Sequence, residues 1–271
     1  MPEQSPTSAP TPNGKTAMII GAGPAGLMAA ERLAGEGYAV TLYEGMPSAG
    51  RKFLMAGKSG LNITHSEDLE TFLTRYGTAR ERLEPHVRKF GPAQIREWCT
   101  GLGIETFVGS SGRVFPTAMK ASPLLRAWLR RLDGLGCKIH YRHYWTGWND
   151  ADQAIFKTPD GNITATADIT VLALGGGSWK RLGSDGKWMD ILQNAGIKCT
   201  PFKPANCGFD VNWTEHLIDK CAGQPVKPVT LTSGTQTVRG EFVISKTGIE
   251  GSAVYAISAT LRDQWLETRT A

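Results

Sequence analysis

Gly21, Gly23 and Gly26 stand in the spacing G-x-G-x-x-G, and Glu44 follows them. An acid about 20 residues past such glycines suits an adenine dinucleotide. The first glycine permits a tight turn. The second lets a pyrophosphate approach the backbone, and the third lets a helix pack on a strand. Ala22, Pro24 and Ala25 fill the positions between and belong to the same candidate binding turn. A helix that starts there offers unpaired N–H groups and the positive end of its dipole to phosphate. The Glu44 carboxylate can accept from a ribose diol and would repel a ribose 2′-phosphate. NADP is therefore disfavoured, while NAD and FAD both stay open on this stretch.

Other groups could join that site. Residues 45–65 are glycine-rich, carry Arg51, Lys52 and Lys58, and end in Asn62, Thr64 and His65. Such a segment is unlike a regular helix or strand, and its cations suit a phosphate or ribose. Gly57-Lys58-Ser59 looks like the end of a P-loop, but position 52 would have to be glycine and no strand precedes it, so an ATPase is excluded. Gly175-Gly176-Gly177 follow the apolar run 170–174, where backbone must pass close to something. His140 and His143 lie among aromatics with no acid at a metal-ligand spacing, and no metal is expected. Cys99, Cys137, Cys199, Cys207 and Cys221 form no C-x-x-C, which argues against dithiol redox chemistry.

The elements that must position these groups follow from periodicity. Residues 17–20 read as a strand, the next stretch as a helix, and 38–43 as a second strand. Gly26, Ala29, Ala30 and Leu33 make the inward stripe of that helix, Glu31 lies off it, and Gly35 and Gly37 end it. Helices are expected over 66–88, 92–102 and 122–132, the last with Ser122 as N-cap, Pro123 at its first position and Trp128 in its core stripe. Residues 106–108 read as a strand, and Pro116 argues against a central strand over 113–116. Three or four strands are expected over 138–174, with Asp160-Gly161 as a hairpin turn and 170–174 as a buried parallel strand. A helix over 187–195 ends at Gly196. Prolines and strand-like runs dominate from 197 until apolar, helical sequence begins near 250. The expected division is a disordered tail over 1–15, a nucleotide-binding domain over 16–196 and a β-rich domain over 197–271.

The 271 residues carry a net charge of +5 that is scattered rather than clustered, so no nucleic-acid partner is expected. No apolar run approaches the roughly 18 residues of a membrane span. The first sixteen residues lack the apolar centre of a secretory signal, and with no export signal a cytoplasmic protein with reduced thiols is expected.

Four motifs together resemble one family. GAGPAGLMAAERL with Glu44, GRKFLMAGKSGLNITH, GRVFPTAMKAS and LALGGGSWKRLGSDG are similar to the HI0933-like flavoproteins, FAD-dependent oxidoreductases also called aminoacetone-oxidase-like or BaiN-like. FVISKTGIEGSAVYAIS resembles a further motif of their inserted domain. The resemblance implies an α/β, two-dinucleotide-binding (Rossmann-like) FAD fold with a β-meander, plus the start of an inserted β-rich domain. It implies that Gly21, Gly23 and Gly26 lie at the pyrophosphate and Glu44 at the adenosine ribose. Arg51, Lys52 and Asn62 would line the FAD cleft. Trp145 would touch the adenine through its backbone, and Gly175 and Gly176 would pass near the adenosine half.

The sequence departs from that family in its loop 57–62, GKSGLN, where GGGRCN is commoner. Family members also continue past residue 271 and return to the FAD domain. The expectation is therefore a truncated member with weak flavin binding and low stability. No catalytic acid, base or thiol carries over; Lys58, His65 and Arg113 are the polar residues to mutate first near the flavin. The function expected is FAD-dependent oxidation or reduction of a small molecule, the flavin being reduced by an external hydride donor, with transiently docked NAD(P)H as one candidate, or by the substrate itself. The rivals are a non-catalytic flavin- or nucleotide-binding protein and an NAD-dependent dehydrogenase.

Overall fold

The computed structural model describes residues 13–56 and 60–269, which form two compact units divided between Cys199 and Thr200. In the first unit, strand β1 (Thr16–Ile20), helix α1 (Pro24–Gly35) and strand β2 (Ala39–Glu44) make a β-α-β unit. Its strands are parallel, with Met18 opposite Thr41. Helix α2 (Arg51–Ala56), strand β3 (Thr64–His65) and helices α3 (Leu69–Thr74), α4 (Arg80–Lys89) and α5 (Pro92–Gly101) follow. Strands β4 (Thr106–Val108) and β5 (Arg113–Pro116) pair with each other, and β5 also pairs with β3. Helix α6 (Ala121–Gly134) leads into strand β6 (Lys138–Tyr141), which lies parallel to β2. Strands β7 (Tyr144–Trp148), β8 (Ala154–Thr158) and β9 (Gly161–Ala165) form an antiparallel meander. Strand β10 (Ile169–Leu172) then returns parallel to β1, and helix α7 (Trp188–Asn194) closes the unit.

The parallel sheet runs β10-β1-β2-β6. Alternate residues of β1 face opposite ways, as a strand's twofold period requires. Ala17 and Ile19 pack with Leu27, Ala30, Trp128 and Leu132 beneath α1 and α6. Met18 and Ile20 pack with Trp145 and Phe156 of the meander and Leu192 of α7. Burial on both faces explains why 17–20 is continuously apolar rather than alternating. This is a Rossmann-like α/β fold with a β-meander.

Several local expectations are corrected. The buried stripe of α1 is Gly26, Leu27, Ala30 and Ala34, with Ala29 and Leu33 only half-buried. Residues 51–56, read as irregular, form the short helix α2. The polar stretch 66–88 is two helices, and the cap of α3 is Asp68, whose carboxylate accepts from the Thr71 N–H at 2.9 Å. Lys120, not Ser122, caps α6, so Pro123 sits in the first turn rather than at its first position. β5 is the central strand of its sheet despite Pro116, which stands at its end. Residues 138–148 divide at Arg142, whose φ of +59° turns β6 out of the parallel sheet and into β7. β10 is an edge strand and only half-buried, because among the described residues it pairs with β1 alone. Most of the tail expected to be disordered lies outside the described residues. Asn13, however, is held, its N–H donating to Gly37 O and its amide Nδ2 to Glu36 O, each at 3.0 Å.

The second unit holds an antiparallel sheet in the order β11 (Phe209–Asp210), β14 (Gly248–Glu250), β13 (Gln236–Ile244), β12 (Pro225–Ser233). A helix α8 (Glu215–Cys221) precedes β12, and a continuous helix α9 (Ser252–Thr268) follows β14. Ala253, Val254, Ile257 and Ser258 are the buried face of α9. The TGIEG signature is explained by packing: a Cβ on Gly248 would stand 1.9 Å from Phe209 O. No helix among the described residues is long and apolar enough to cross a membrane.

Candidate functional site

A cleft opens at the carboxyl ends of β1, β2 and β10, where parallel α/β sheets present their loops to ligands. Gly21 makes the turn out of β1 with φ +106°, and a Cβ there would meet Ala173 O at 2.3 Å. A Cβ on Gly26 would stand 1.8 Å from Gly21 O. Both glycines are therefore fixed by close backbone packing. Gly23 is different, since a Cβ there meets nothing within 4 Å and the residue lines the cleft. It is the N-cap of α1 and brings no side-chain cap, and Leu27 N–H makes the first bond back, to Gly23 O at 2.9 Å. The N–H groups of Gly23, Ala25 and Gly26 have no acceptor among the described residues. Pro24 has no N–H to satisfy, which suits the first helical position.

Glu44 ends β2 and is held on both oxygens. Oε2 accepts from Ala22 N and Oε1 from Met46 N, each at 2.8 Å. Each oxygen keeps a lone pair for a further donor. The carboxylate thus pins the glycine turn and still lines the cleft. Arg51 and Lys52 open α2 beside it. Arg51 Nη1 donates to Ser48 Oγ at 3.4 Å, while its buried Nε has no partner among the described residues. Lys52 Nζ donates to Ser178 Oγ at 2.8 Å. Lys180 adds a third cation to the lining. An open glycine turn, three unpaired N–H groups, a buried orphan guanidinium N–H and a fixed carboxylate together fit a diphosphate joined to a ribose.

The far wall comes from Tyr144 and Trp145 of β7 and from the segment after β10. Tyr144 Oη donates to Asp185 Oδ2 at 3.2 Å, and burial with the Asp185 charge pushes its phenol above the usual range. Trp145 is buried, and its indole N–H has no partner among the described residues. Tyr43 lines the cleft, and its ring stacks on Phe156 with centroids 4.2 Å apart and on His140 at 5.2 Å.

Of the residues expected from sequence, Gly21, Gly23, Pro24, Glu44, Arg51, Lys52, Trp145 and Gly175 line this one cleft. Ala22 lies buried beneath the turn, Ala25 is exposed on α1, and Gly26 serves packing. Asn62 is exposed and outside the lining. Gly176 is tied up by Ser184 Oγ, which accepts from its N–H and donates to its carbonyl. His65 and Arg113 pair with each other across β3 and β5, away from the cleft lining. His65 Nδ1 accepts from Glu67 N, which leaves Nε2 as the N–H that donates to Ser111 O at 3.0 Å. With both nitrogens used, the ring is a structural clip. Lys58 lies outside the described residues. Sequence reasoning missed His143, Tyr144, Lys180, Ser184 and Asp185. The signal for the last three was the polar, glycine-flanked segment directly after the triple glycine. Among the described residues no group of three or more His, Cys, Asp or Glu side chains is placed to hold a metal ion.

With this geometry in place, the sequence profile described as the HI0933-like protein Rossmann domain matches residues 15–259. The chain belongs to the HI0933-like family. The family is one of FAD-binding flavoproteins. The chain is 28% identical over 247 residues to the 3-dehydro-bile acid delta(4,6)-reductase of Clostridium scindens, covering 89% of this chain and 59% of that protein. It is 26% identical over 256 residues to the ribosomal RNA dihydrouridine synthase of Haemophilus influenzae, covering 89% of this chain and 60% of that protein. The chain thus spans about three-fifths of the length of these curated relatives. Among solved structures, the THI4 protein of Thermovibrio ammonificans aligns with a TM-score of 0.43 at 18% identity, over 68% of this chain and 64% of that one.

Proposed function

We propose that the protein is an FAD-dependent oxidoreductase acting on a small, unsaturated carbonyl compound. The observation that carries this reading is the convergence on one cleft of the open glycine turn, the Glu44 carboxylate and the cations Arg51, Lys52 and Lys180. Bound FAD would supply the two-electron chemistry, and the protein supplies binding, orientation and electrostatics. The Gly23, Ala25 and Gly26 N–H groups hold the diphosphate, with Arg51 and Lys52 neutralising its charge. Glu44 accepts from the adenosine ribose, the Trp145 backbone meets the adenine, and Gly175 forms the facing wall. An NAD-dependent dehydrogenase lacks the support that the family gives to flavin, and a non-catalytic flavin- or nucleotide-binding protein is separated from this reading by turnover.

The substrate class rests on the relatives' names. One describes a reductase of a 3-dehydro-bile acid, the other a synthase of dihydrouridine in ribosomal RNA. We favour a small molecule over RNA because many arginines are already neutralised. Arg75 pairs with Glu67, Arg80 and Arg88 with Glu70 and Glu84, and Arg131 with Glu31. In this reading the reducing equivalents come from an external hydride donor, for which NAD(P)H docking transiently is one candidate, or from the substrate itself. The visible spectrum of bound cofactor, followed by NAD(P)H oxidation with cyclic enones and an artificial acceptor, tests it. Flavin absorbance with enone-dependent turnover supports the proposal. Bound nucleotide without flavin absorbance, or flavin without any turnover, overturns it.

A further inference from the structure

One residue that sets the far wall of the cleft is a serine, not a glycine, near the end of the LALGGGSWKRLGSDG stretch. Ser184 is 4% exposed, and its hydroxyl makes two hydrogen bonds to one residue. Oγ donates to Gly176 O at 2.8 Å and accepts from Gly176 N at 3.1 Å. Its own backbone exchanges N–H···O bonds with Trp179 at 3.1 and 3.2 Å, closing residues 179–184 into a small loop. From this loop and its flank come Lys180, Leu182, Gly183, Ser184 and Asp185, all on the cleft. On the other side of the corner, Gly175 has φ +74° and its carbonyl accepts from Trp188 Nε1 at 3.2 Å. One hydroxyl therefore couples the triple-glycine corner to the loop that forms the rest of the wall.

We infer that Ser184 is a positioning residue for the dinucleotide, acting through Gly176 to hold Gly175 and residues 180–185 in register. This rests on the FAD reading above. The chemistry requires a hydroxyl, because a single atom must both donate and accept. Alanine leaves the Gly176 N–H and C=O without their partner. A glycine corner released in this way samples many backbone conformations. The free protein tolerates that freedom, and the ordering cost falls on ligand binding.

The experiment compares wild type, S184A and S184T by FAD titration and by amide hydrogen exchange of the free proteins. S184A should bind FAD about tenfold or more weakly, the scale of one buried polar group left unpaired. Exchange should quicken at Gly176 and its neighbours while β1 and β2 stay protected. S184T, which keeps the hydroxyl, should restore both readouts to within about twofold. Wild-type affinity in S184A overturns the inference, as does an S184T variant as weak as S184A. Exchange raised evenly through the parallel sheet also overturns it, because that marks a merely structural role. If the wild type takes up no FAD, the cofactor reading fails separately, and local quickening at Gly176 still reports whether the hydroxyl holds the corner.

Discussion

Replacing Gly23 by alanine separates binding from folding. Gly23 has φ −79° and ψ −179°, backbone that any residue adopts, and an added Cβ meets no heavy atom within 4 Å. The cost to the fold is then the capping preference alone, about 0.5–1 kcal/mol, a fall in melting temperature of roughly 1–4 °C for a chain of this size. The same methyl projects from a residue that lines the cleft, beside the unpaired N–H groups at the start of α1. Holding a diphosphate off that backbone loses one charge-assisted hydrogen bond or more, at about 1.5–3 kcal/mol each, or roughly tenfold to a hundredfold in FAD affinity. Gly26→Ala is the contrast. Its Cβ would lie 1.8 Å from Gly21 O, against the 3.0 Å below which real contacts essentially never fall. Helix α1 must then shift by an ångström or so, and the cost is about 3 kcal/mol or more in stability. Thermal melts of the free proteins and FAD titrations by flavin fluorescence give both quantities. A G23A protein that melts as low as G26A, or that binds FAD as tightly as wild type, would contradict this.

Further outcomes are expected. Glu31 accepts from Trp98 and Trp128 indoles and from Arg131, the last two at 2.6 and 2.8 Å, so Glu31→Ala strands three donors and should cost about 3 kcal/mol in denaturant melts; a cost below about 1 kcal/mol would show the cluster to be idle. Burial pushes the Cys99 and Cys137 thiols up to about 11, with the Glu31 charge adding to the effect at Cys137. Both should therefore resist alkylation at neutral pH until the chain unfolds, unlike the half-buried Cys199, Cys207 and Cys221. Because these thiols hold their protons more tightly when folded, their contribution to stability is complete below the unfolded value near 9.0 and is lost as pH rises to about 11. Equal denaturant midpoints across that window would contradict this. Trp145→Phe removes a buried N–H that lacks a partner, which offsets the smaller ring, so stability should fall by no more than about 1 kcal/mol. FAD affinity should hold within about twofold, since only the backbone of residue 145 is assigned to the adenine; a tenfold loss would put the indole itself in the site.

The opening β-α-β unit was legible because every local signal agreed: apolar strand, glycine turn, Pro24 at the first helical position, Gly37 after the end, and an acid on the second strand. Glu31 was not, because helical periodicity sees one helix at a time. A carboxylate at the edge of the stripe of α1 looks solvated until α5 and α6 bring Trp98, Trp128 and Arg131 against it. The division of 138–148 was hidden for a related reason, since nothing in its strand-like run marks Arg142 as the residue with positive φ. Helix α8 carried a readable start in Thr214-Glu215, but the surrounding prolines and strand-like sequence outweighed seven residues. In the site, residues that act through backbone geometry announced themselves as glycines. Ser184 and Asp185 stand in the polar, glycine-flanked segment after the triple glycine, but what they do depends on a fold-back of the chain that spacing cannot convey.

The central claim is that the cleft grips the adenosine diphosphate half of FAD, with its phosphates at the 21–26 turn and its ribose at Glu44. A competition titration tests it most directly, with ADP and FMN each added against FAD bound to this chain. ADP should displace FAD, and FMN, which lacks adenosine, should leave it in place. Displacement by FMN with no effect of ADP would mean that the glycine turn and Glu44 hold something else.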